Sequence, residues 1–195
     1  MRRPDFIIIG AMKCETTSLR SDLSTHSEVY IVPGEPRFFH SELYHEQSLE
    51  QYLSHFEGRN EAVLGESSGF YAWDSWCEET ADRMGRDVSE AKLLYIIRHP
   101  VERIASHWAW GLSNGQPWGT INEAVQSVGR LVEMSLYWRQ ISRYREHFDD
   151  DQIKGLFLED LKADPHLFFR ACGQFLGVDP SGFAFEEAAT PKHQC

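Results

Sequence analysis

The sequence predicts an α/β fold in which a central parallel sheet is flanked by helices. Three observations carry this expectation. Short apolar runs alternate along the chain with longer stretches of helical periodicity. One run, Leu93-Leu94-Tyr95-Ile96-Ile97, is apolar throughout, as a strand covered on both faces must be. Another, Phe6-Ile7-Ile8-Ile9, ends in Gly10, after which come Lys13, the hydroxyl residues Thr16, Thr17 and Ser18, and a new helical pattern. That order reads as strand, tight loop and helix start.

Candidate strands cover residues 6–9, 29–32, 62–64, 92–97 and 152–158. Helical patterns cover 16–24, 49–55, 76–84, 101–112, 121–128, 133–147 and 166–176. The first helix opens on hydroxyl residues suited to its free N–H groups. Pro33-Gly34-Glu35-Pro36 and the stretch from Asn114 to Gly119 are turn-rich connections. Pro100 fits the first turn of the helix after the fourth strand. No repeat, low-complexity tract or linker divides the chain, so residues 1–195 read as a single domain, long enough to bury a core. Gly10, Glu35, Glu66 and Arg98 each follow a candidate strand, which sets four distant positions along one sheet rim, where ligands bind in open parallel sheets.

The 19 lysines and arginines against 30 aspartates and glutamates leave a net charge of −11, which argues against a broad nucleic-acid-binding face. Any anionic ligand must be held by local cations and backbone amides against the overall field. Cys14, Cys77, Cys172 and Cys195 lack metal-ligand spacing, so no metal site is expected. A reducing, cytoplasmic setting is the simpler reading of these cysteines, with disulfides left open. No stretch is long and apolar enough for a membrane span, and the residues before Phe6 are too few for a signal peptide. Several tryptophans fall in two segments. At that density they are expected mainly in the core, with Trp73, Trp108 or Trp118 open as pocket walls. His26, His45 and His55 are expected on the surface, and the roles of His99 and His107 are not readable.

A loop entering a helix N-terminus points N–H groups and the positive end of the helix dipole at one place, and Lys13 adds a full charge. A phosphate or sulfate ester is the natural occupant; the alternative is a plain strand–helix turn with capping hydroxyls. The nucleotide-binding pattern G-x-x-x-x-G-K-[ST] does not fit, because Glu15 stands at its second glycine and Thr16 at its lysine. Farther along, a strand delivers Arg98, and Ser106 lies on the following helix. Arginine suits multidentate phosphate contact; an ion-pair role for Arg98 and a helix-face role for Ser106 are the alternatives.

Together the two segments resemble sulfotransferases that use 3′-phosphoadenosine 5′-phosphosulfate (PAPS). Their donor loop reads roughly G-x-x-K-x-G-T-[TS]-x-L, and their 3′-phosphate segment is a strand, R-x-P and a helix with serine eight residues after the arginine. The resemblance implies a P-loop-like fold. It implies Lys13, Thr16, Thr17 and Ser18 as the 5′-phosphosulfate cradle and Arg98 and Ser106 as ligands of the 3′-phosphate. Pro33-Gly34-Glu35-Pro36-Arg37-Phe38-Phe39-His40 is similar to the K-E-P-x-F-F segment of the heparan sulfate and related carbohydrate branch, which makes Glu35 the candidate base; the alternative is a turn glutamate paired with Arg37. Gly65-Glu66-Ser67-Ser68-Gly69-Phe70-Tyr71 resembles G-E-x-[ST]-x-x-Y beside the active site, with a structural acceptor role for Glu66 favoured over a catalytic one.

The resemblance runs from Phe6 to about Val178 and implies sulfuryl transfer from PAPS, leaving 3′-phosphoadenosine 5′-phosphate (PAP), to a hydroxyl or amine of a small molecule or carbohydrate. Catalysis would rest on Glu35 and Lys13, without a metal. Two departures stand out. Glu15 replaces the loop glycine: facing the donor it would add bulk and negative charge, and changing it to glycine would tighten PAPS binding; facing outward, the orientation expected here, it favours the helix dipole as a first-turn residue, and changing it to glycine is expected to loosen the helix start. Beyond Pro191-Lys192-His193 the family usually adds a nucleotide-covering loop, whereas this sequence stops at Cys195; a compact member, a truncated one and one completed by a partner are the alternatives. Two rivals stay open: a non-catalytic sulfotransferase-like binding protein, and a small-molecule kinase on the related P-loop fold. Homo-oligomerisation is also open.

Overall fold

The computed structural model describes residues 1–40, 44, 46–73 and 77–183. Trp76, His45, Cys195 and the segment with Pro191, Lys192 and His193 lie outside the described residues. The five described strands are β1 (Phe6–Gly10), β2 (Val29–Ile31), β3 (Val63–Ser67), β4 (Lys92–Ile97) and β5 (Ile153–Phe157). They form one sheet in the order β2-β3-β1-β4-β5, and every pairing is parallel. Helix α1 (Thr16–Leu23) follows β1, α2 (Leu49–Leu53) and α3 (Cys77–Asp87) flank β3, and α4 (Pro100–Ser113) follows β4. Beyond it come α5 (Ile121–Ser127), α6 (Arg130–Glu133), α7 (Tyr137–Tyr144), α8 (Leu158–Ala163) and α9 (Pro165–Leu176).

The expected α/β architecture is present, with informative differences at element ends. The expected helix at 133–147 is shorter: α6 ends at Glu133, Leu136 with its non-helical ψ of 61° intervenes, and α7 runs only from Tyr137 to Tyr144. Strand β3 runs to Ser67 rather than ending at 64, because Gly65, Glu66 and Ser67 pair with Phe6, Ile7 and Ile8. Glu66 therefore sits inside the sheet and not on its rim. Phe6 to Ile9 are all fully buried, so residues pointing to both faces of β1 are covered.

The strand order places the loops after β1 and β4 side by side. From β1 the chain crosses toward β2, and from β4 it crosses toward β5, so the connections diverge. That divergence opens a crevice beyond the carboxyl ends of β1 and β4, the usual ligand position in such sheets. A register shift between Ile8 and Gly10 lets β1 reach this edge. Gly10 has φ of 149°, and a Cβ there would lie 2.9 Å from Ala72 Cβ, so the loop turns only because the residue is glycine.

A second apolar cluster joins α4, α5 and α6 around Trp118, Ala124 and Leu131. Trp118 is buried there over Gly111, and Trp108 Nε1 donates to the Gly119 carbonyl at 3.1 Å. Trp118 is thus chiefly a core residue that also lines a concavity with Pro117 and Gly119. His26 is also corrected: it is buried, accepts from the Glu28 N–H through Nδ1 at 3.1 Å and donates from Nε2 to the Asp179 carbonyl at 2.8 Å. Its ring bridges two chain turns 153 residues apart, which no local pattern announces. His55 is exposed, as expected.

Candidate active site

The loop after β1 is shaped by two left-handed residues, Lys13 at φ 67° and Glu15 at φ 62°. The Cys14 N–H donates to the Ala11 carbonyl at 3.1 Å, and the Glu15 carbonyl accepts from Leu19 at 3.0 Å, the start of the α1 ladder. Thr16, Thr17 and Ser18 occupy the first turn of α1, where a helix offers no carbonyl four residues back. Thr16 is buried, Ser18 half-buried and Thr17 exposed. Lys13 Nζ lies 5.5 Å from the centroid of the Trp110 ring on α4. Cys14 is buried under the loop, and burial pushes its thiol up to about 11 against the hydrogen bond with Tyr137 and the charges of Arg103 and Arg98. It stays a thiol and is no nucleophile at neutral pH.

Glu15 is the N-cap of α1 rather than a first-turn residue, is exposed, and makes no side-chain capping hydrogen bond. Its left-handed backbone reverses the expectation for its replacement. Glycine adopts that conformation freely, so Glu15→Gly is expected to raise stability by about 1 kcal/mol in urea melts rather than loosen the helix. Because the side chain faces solvent, PAPS affinity is expected to change little. A tenfold gain, about 1.4 kcal/mol, would show instead that the native loop repels its donor.

Arg98 leaves β4 at the same crevice. Its Nη1 reaches the Lys13 carbonyl at 3.5 Å, which ties the two loops together, and its Nη2 donates to Glu102 Oε2 at 2.8 Å. Its Nε is buried and has no hydrogen-bond partner. The hydrogen bond from Arg98, then its charge, hold the Glu102 carboxyl below the usual range. Ser106 follows Glu102 by one turn on α4 and is half-buried. His99 is the N-cap of α4, and its N–H donates to Glu159 at 2.8 Å. His107 is buried; burial first, then Arg103, Arg130 and Lys13, push it down to about 4. Cations thus gather around α4 in a chain of net charge −11, as an anion site in an acidic protein requires.

Glu35 is positioned by the residues on its C-terminal side. Phe38 and Phe39 are buried anchors, with Phe38 stacked on Tyr52 at 4.5 Å, and the Phe39 carbonyl accepts from Arg83 at 3.1 Å. Arg20 of α1 donates to the Gly34 carbonyl, so the Glu35 turn is fastened to the helix that follows the β1 loop. Glu35 Oε2 accepts from Arg37 Nη2 at 3.0 Å and Nε at 3.2 Å, the pairing that a turn glutamate would make. Its Oε1 faces the Gly69 N–H at 3.4 Å. A Cβ at Gly69 would lie 3.4 Å from Thr16 Oγ1, 3.8 Å from Met12 Cα and 3.9 Å from Glu35 Oε1. Gly69 is therefore where Glu35 and the β1 loop meet.

Glu66 lies behind this site, fully buried, accepting from Tyr52 at 2.9 Å and Tyr71 at 3.0 Å. It is a structural acceptor. Burial raises its carboxyl from 4.5 to about 7 despite the two tyrosine hydrogen bonds, with Glu35 adding to the rise. Between those values the folded state holds a proton that the unfolded state has lost. Stability from this group is therefore complete below pH 4.5 and declines as pH rises toward 7, by about 3 kcal/mol. Glu66→Gln is expected to flatten this dependence. Urea melts of both proteins at pH 5 and pH 8 check it, the stability difference between them shifting toward the variant at the higher pH.

Arg103, Tyr137 and Gly69 were not singled out from sequence. Arg103 stands five residues after Arg98 on a helix, a spacing that could have marked it, whereas Tyr137 arrives from α7 with no local signal. Two concavities of about 460 and 510 Å³, around Arg170 and around Glu123, contain none of the candidate donor-binding or catalytic residues, and the second is lined in part by Trp118. Among the described residues no cluster of metal-ligating side chains occurs, and no helix is long and apolar enough to cross a membrane.

The parallel sheet flanked by helices defines an α/β protein of the P-loop-like class, with cationic side chains between the β1 and β4 loops. A family model described as "Sulfotransferase domain" matches residues 3–192, and the chain belongs to that family. It is 33% identical to the membrane-associated sulfotransferase kil1 of Dictyostelium discoideum over 114 residues, 56% of this chain and 23% of that protein. It is 26% identical to the bifunctional heparan sulfate N-deacetylase/N-sulfotransferase 1 of Caenorhabditis elegans over 201 residues, 94% of this chain and 23% of that protein. The chain thus spans about a quarter of the length of these curated relatives. Among solved structures, a sulfotransferase from Alicyclobacillus acidocaldarius superposes with a TM-score of 0.82 at 27% identity, over 98% of this chain and 88% of that one. Mouse sulfotransferase SULT7A1, solved in complex with PAP, shares the fold with a TM-score of 0.64 at 16% identity, over 91% of this chain and 59% of that one.

Proposed function

We propose that this chain, acting as one domain in a reducing cytoplasmic setting, moves a sulfuryl group from PAPS to a hydroxyl or amine of a carbohydrate or small molecule. The observation that carries this reading is the junction of the β1 and β4 loops at the sheet's switch point, tied by the contact from Arg98 to the Lys13 carbonyl. A donor with phosphates at both ends of a ribose fits two such loops. The buried, unpartnered Arg98 Nε is a fitting observation for a phosphate. The three described cysteines are buried thiols, which suits the reducing setting.

In this mechanism PAPS supplies the activated sulfuryl group. Glu35 takes the proton of the acceptor as the acceptor oxygen or nitrogen bonds to sulfur and the bond from sulfur to the 5′-phosphate breaks. Lys13 and the N–H groups of the β1 loop and first α1 turn stabilise charge on the transferring and leaving oxygens. Thr16, Thr17 and Ser18 line the 5′ side, while Arg98 and Ser106 hold the 3′-phosphate. None of these roles calls for a metal.

Calorimetric titration with PAP, ATP and GTP tests the reading, followed by an assay of sulfuryl transfer. PAP is expected to bind in preference to both triphosphates and, at a hundredfold excess over its Kd, to add about 2.7 kcal/mol of stability. Preference for ATP would move the chain to the kinase reading. PAP binding without transfer to any acceptor class would favour a non-catalytic binding protein.

A further inference from the structure

Arg103 lies on α4 between Arg98 and Ser106 and is fully buried. Its Nε donates to Ser135 Oγ at 2.5 Å, its Nη1 lies 3.2 Å from His107 Nδ1, and its Nη2 donates to the Leu131 carbonyl. All three partners are neutral; His107 is pushed down to about 4 and carries no charge at neutral pH. Among the described residues no carboxylate lies within 4.0 Å of the guanidinium, whereas Arg98 beside it has Glu102. A buried cation is ordinarily paired, because leaving it alone opposes folding. Burial does hold the Arg103 guanidinium below its usual range.

The arginine is packed where its field reaches the β1 loop. Its ring partner His107 touches Trp110 at 5.9 Å between centroids, and Lys13 Nζ lies over that same tryptophan. On the other side Cys14, in the loop, feels the charges of both Arg103 and Arg98. Resting on the PAPS reading above, we propose that Arg103 is a positioning residue whose buried, carboxylate-free charge is neutralised by the phosphates of the donor, so that nucleotide binding supplies the counter-ion the fold withholds. Arg103 touches neither reacting atom; it acts through the potential it sets at the loop.

The test separates charge from hydrogen bonding. Ser135→Asp places a carboxylate beside Arg103 without removing it, Arg103→Gln removes the charge but keeps hydrogen-bonding groups, and Arg103→Lys keeps the charge but loses the fork. PAP, with two phosphates, and AMP, with one, are titrated into each variant and the wild type. Ser135→Asp and Arg103→Gln are expected to weaken PAP about tenfold and AMP by a smaller factor, about threefold, while Arg103→Lys stays close to wild type. Thermal melts are expected to show Ser135→Asp at least as stable as wild type without nucleotide, since its buried pair is complete. Should Arg103→Gln not fold, Ser135→Asp decides alone. Unchanged PAP affinity in folded Ser135→Asp, or equal factors for PAP and AMP, overturns the inference while leaving the donor reading intact. Wild type that fails to bind PAP overturns both.

Discussion

Glu35→Gln is expected to leave PAP binding nearly intact and to lower sulfuryl transfer by roughly two orders of magnitude or more, the range of a positioned acid–base group. The amide keeps the size of the side chain and an oxygen for Arg37, but it cannot receive the acceptor's proton. The structure gives the expectation its geometry. Oε2 is held by two nitrogens of Arg37, and Oε1 faces Gly69 beside the β1 loop. The carboxylate is therefore oriented by one side and open to the donor region on the other. Arg37 is itself stacked over Phe70 at 4.2 Å, which limits its freedom to release Glu35. Titration of PAP and an initial-rate assay on the same preparation check both halves. Full activity in the variant would reduce Glu35 to a turn glutamate in an ion pair, with His40 the next base to examine.

The second large effect is at Arg98. Arg98→Ala is expected to weaken PAP about 10- to 100-fold, the worth of charge-assisted hydrogen bonds to a phosphate, and AMP far less, because AMP lacks the 3′-phosphate. Arg98 Nη2 donates to Glu102 at 2.8 Å, so part of the arginine's capacity is engaged at α4's first turn. The fork can still serve a phosphate through Nε, which has no partner, and Nη1, whose contact at 3.5 Å is long. Calorimetry with both nucleotides reads the difference. Equal losses for PAP and AMP would place Arg98 in the general support of the β1 loop through Lys13 and not at the 3′-phosphate.

Much of this site lies in short segments, and short segments are legible. The strand–glycine–lysine–hydroxyl order at 6–18 marks a strand–loop–helix turn because backbone geometry there is local: a strand end, a tight turn and a helix start follow from neighbouring residues. The same holds for Arg98, Pro100 and Ser106, whose spacing is set by one strand and one helix. The left-handed backbone of Glu15 was less legible. Its charge suggests a favourable helix start, and only the φ of 62° shows that the position favours glycine.

What the sequence by itself determined is thus the alternation of strand and helix, the parallel sheet, the two strand–loop–helix turns read as anion sites and the glutamate between two prolines. The tertiary structure decided which of these residues meet. Strand order brings the β1 and β4 loops together at the diverging crossovers, and Gly69, from a third strand's exit, closes the distance between Glu35 and Thr16. It also decided that Glu66 and Arg103 are buried, the one between two tyrosines and the other among neutral partners. The physical reason is that burial and desolvation depend on packing between elements distant along the chain, whereas strand ends, turns and helix starts depend on residues within a few positions of one another.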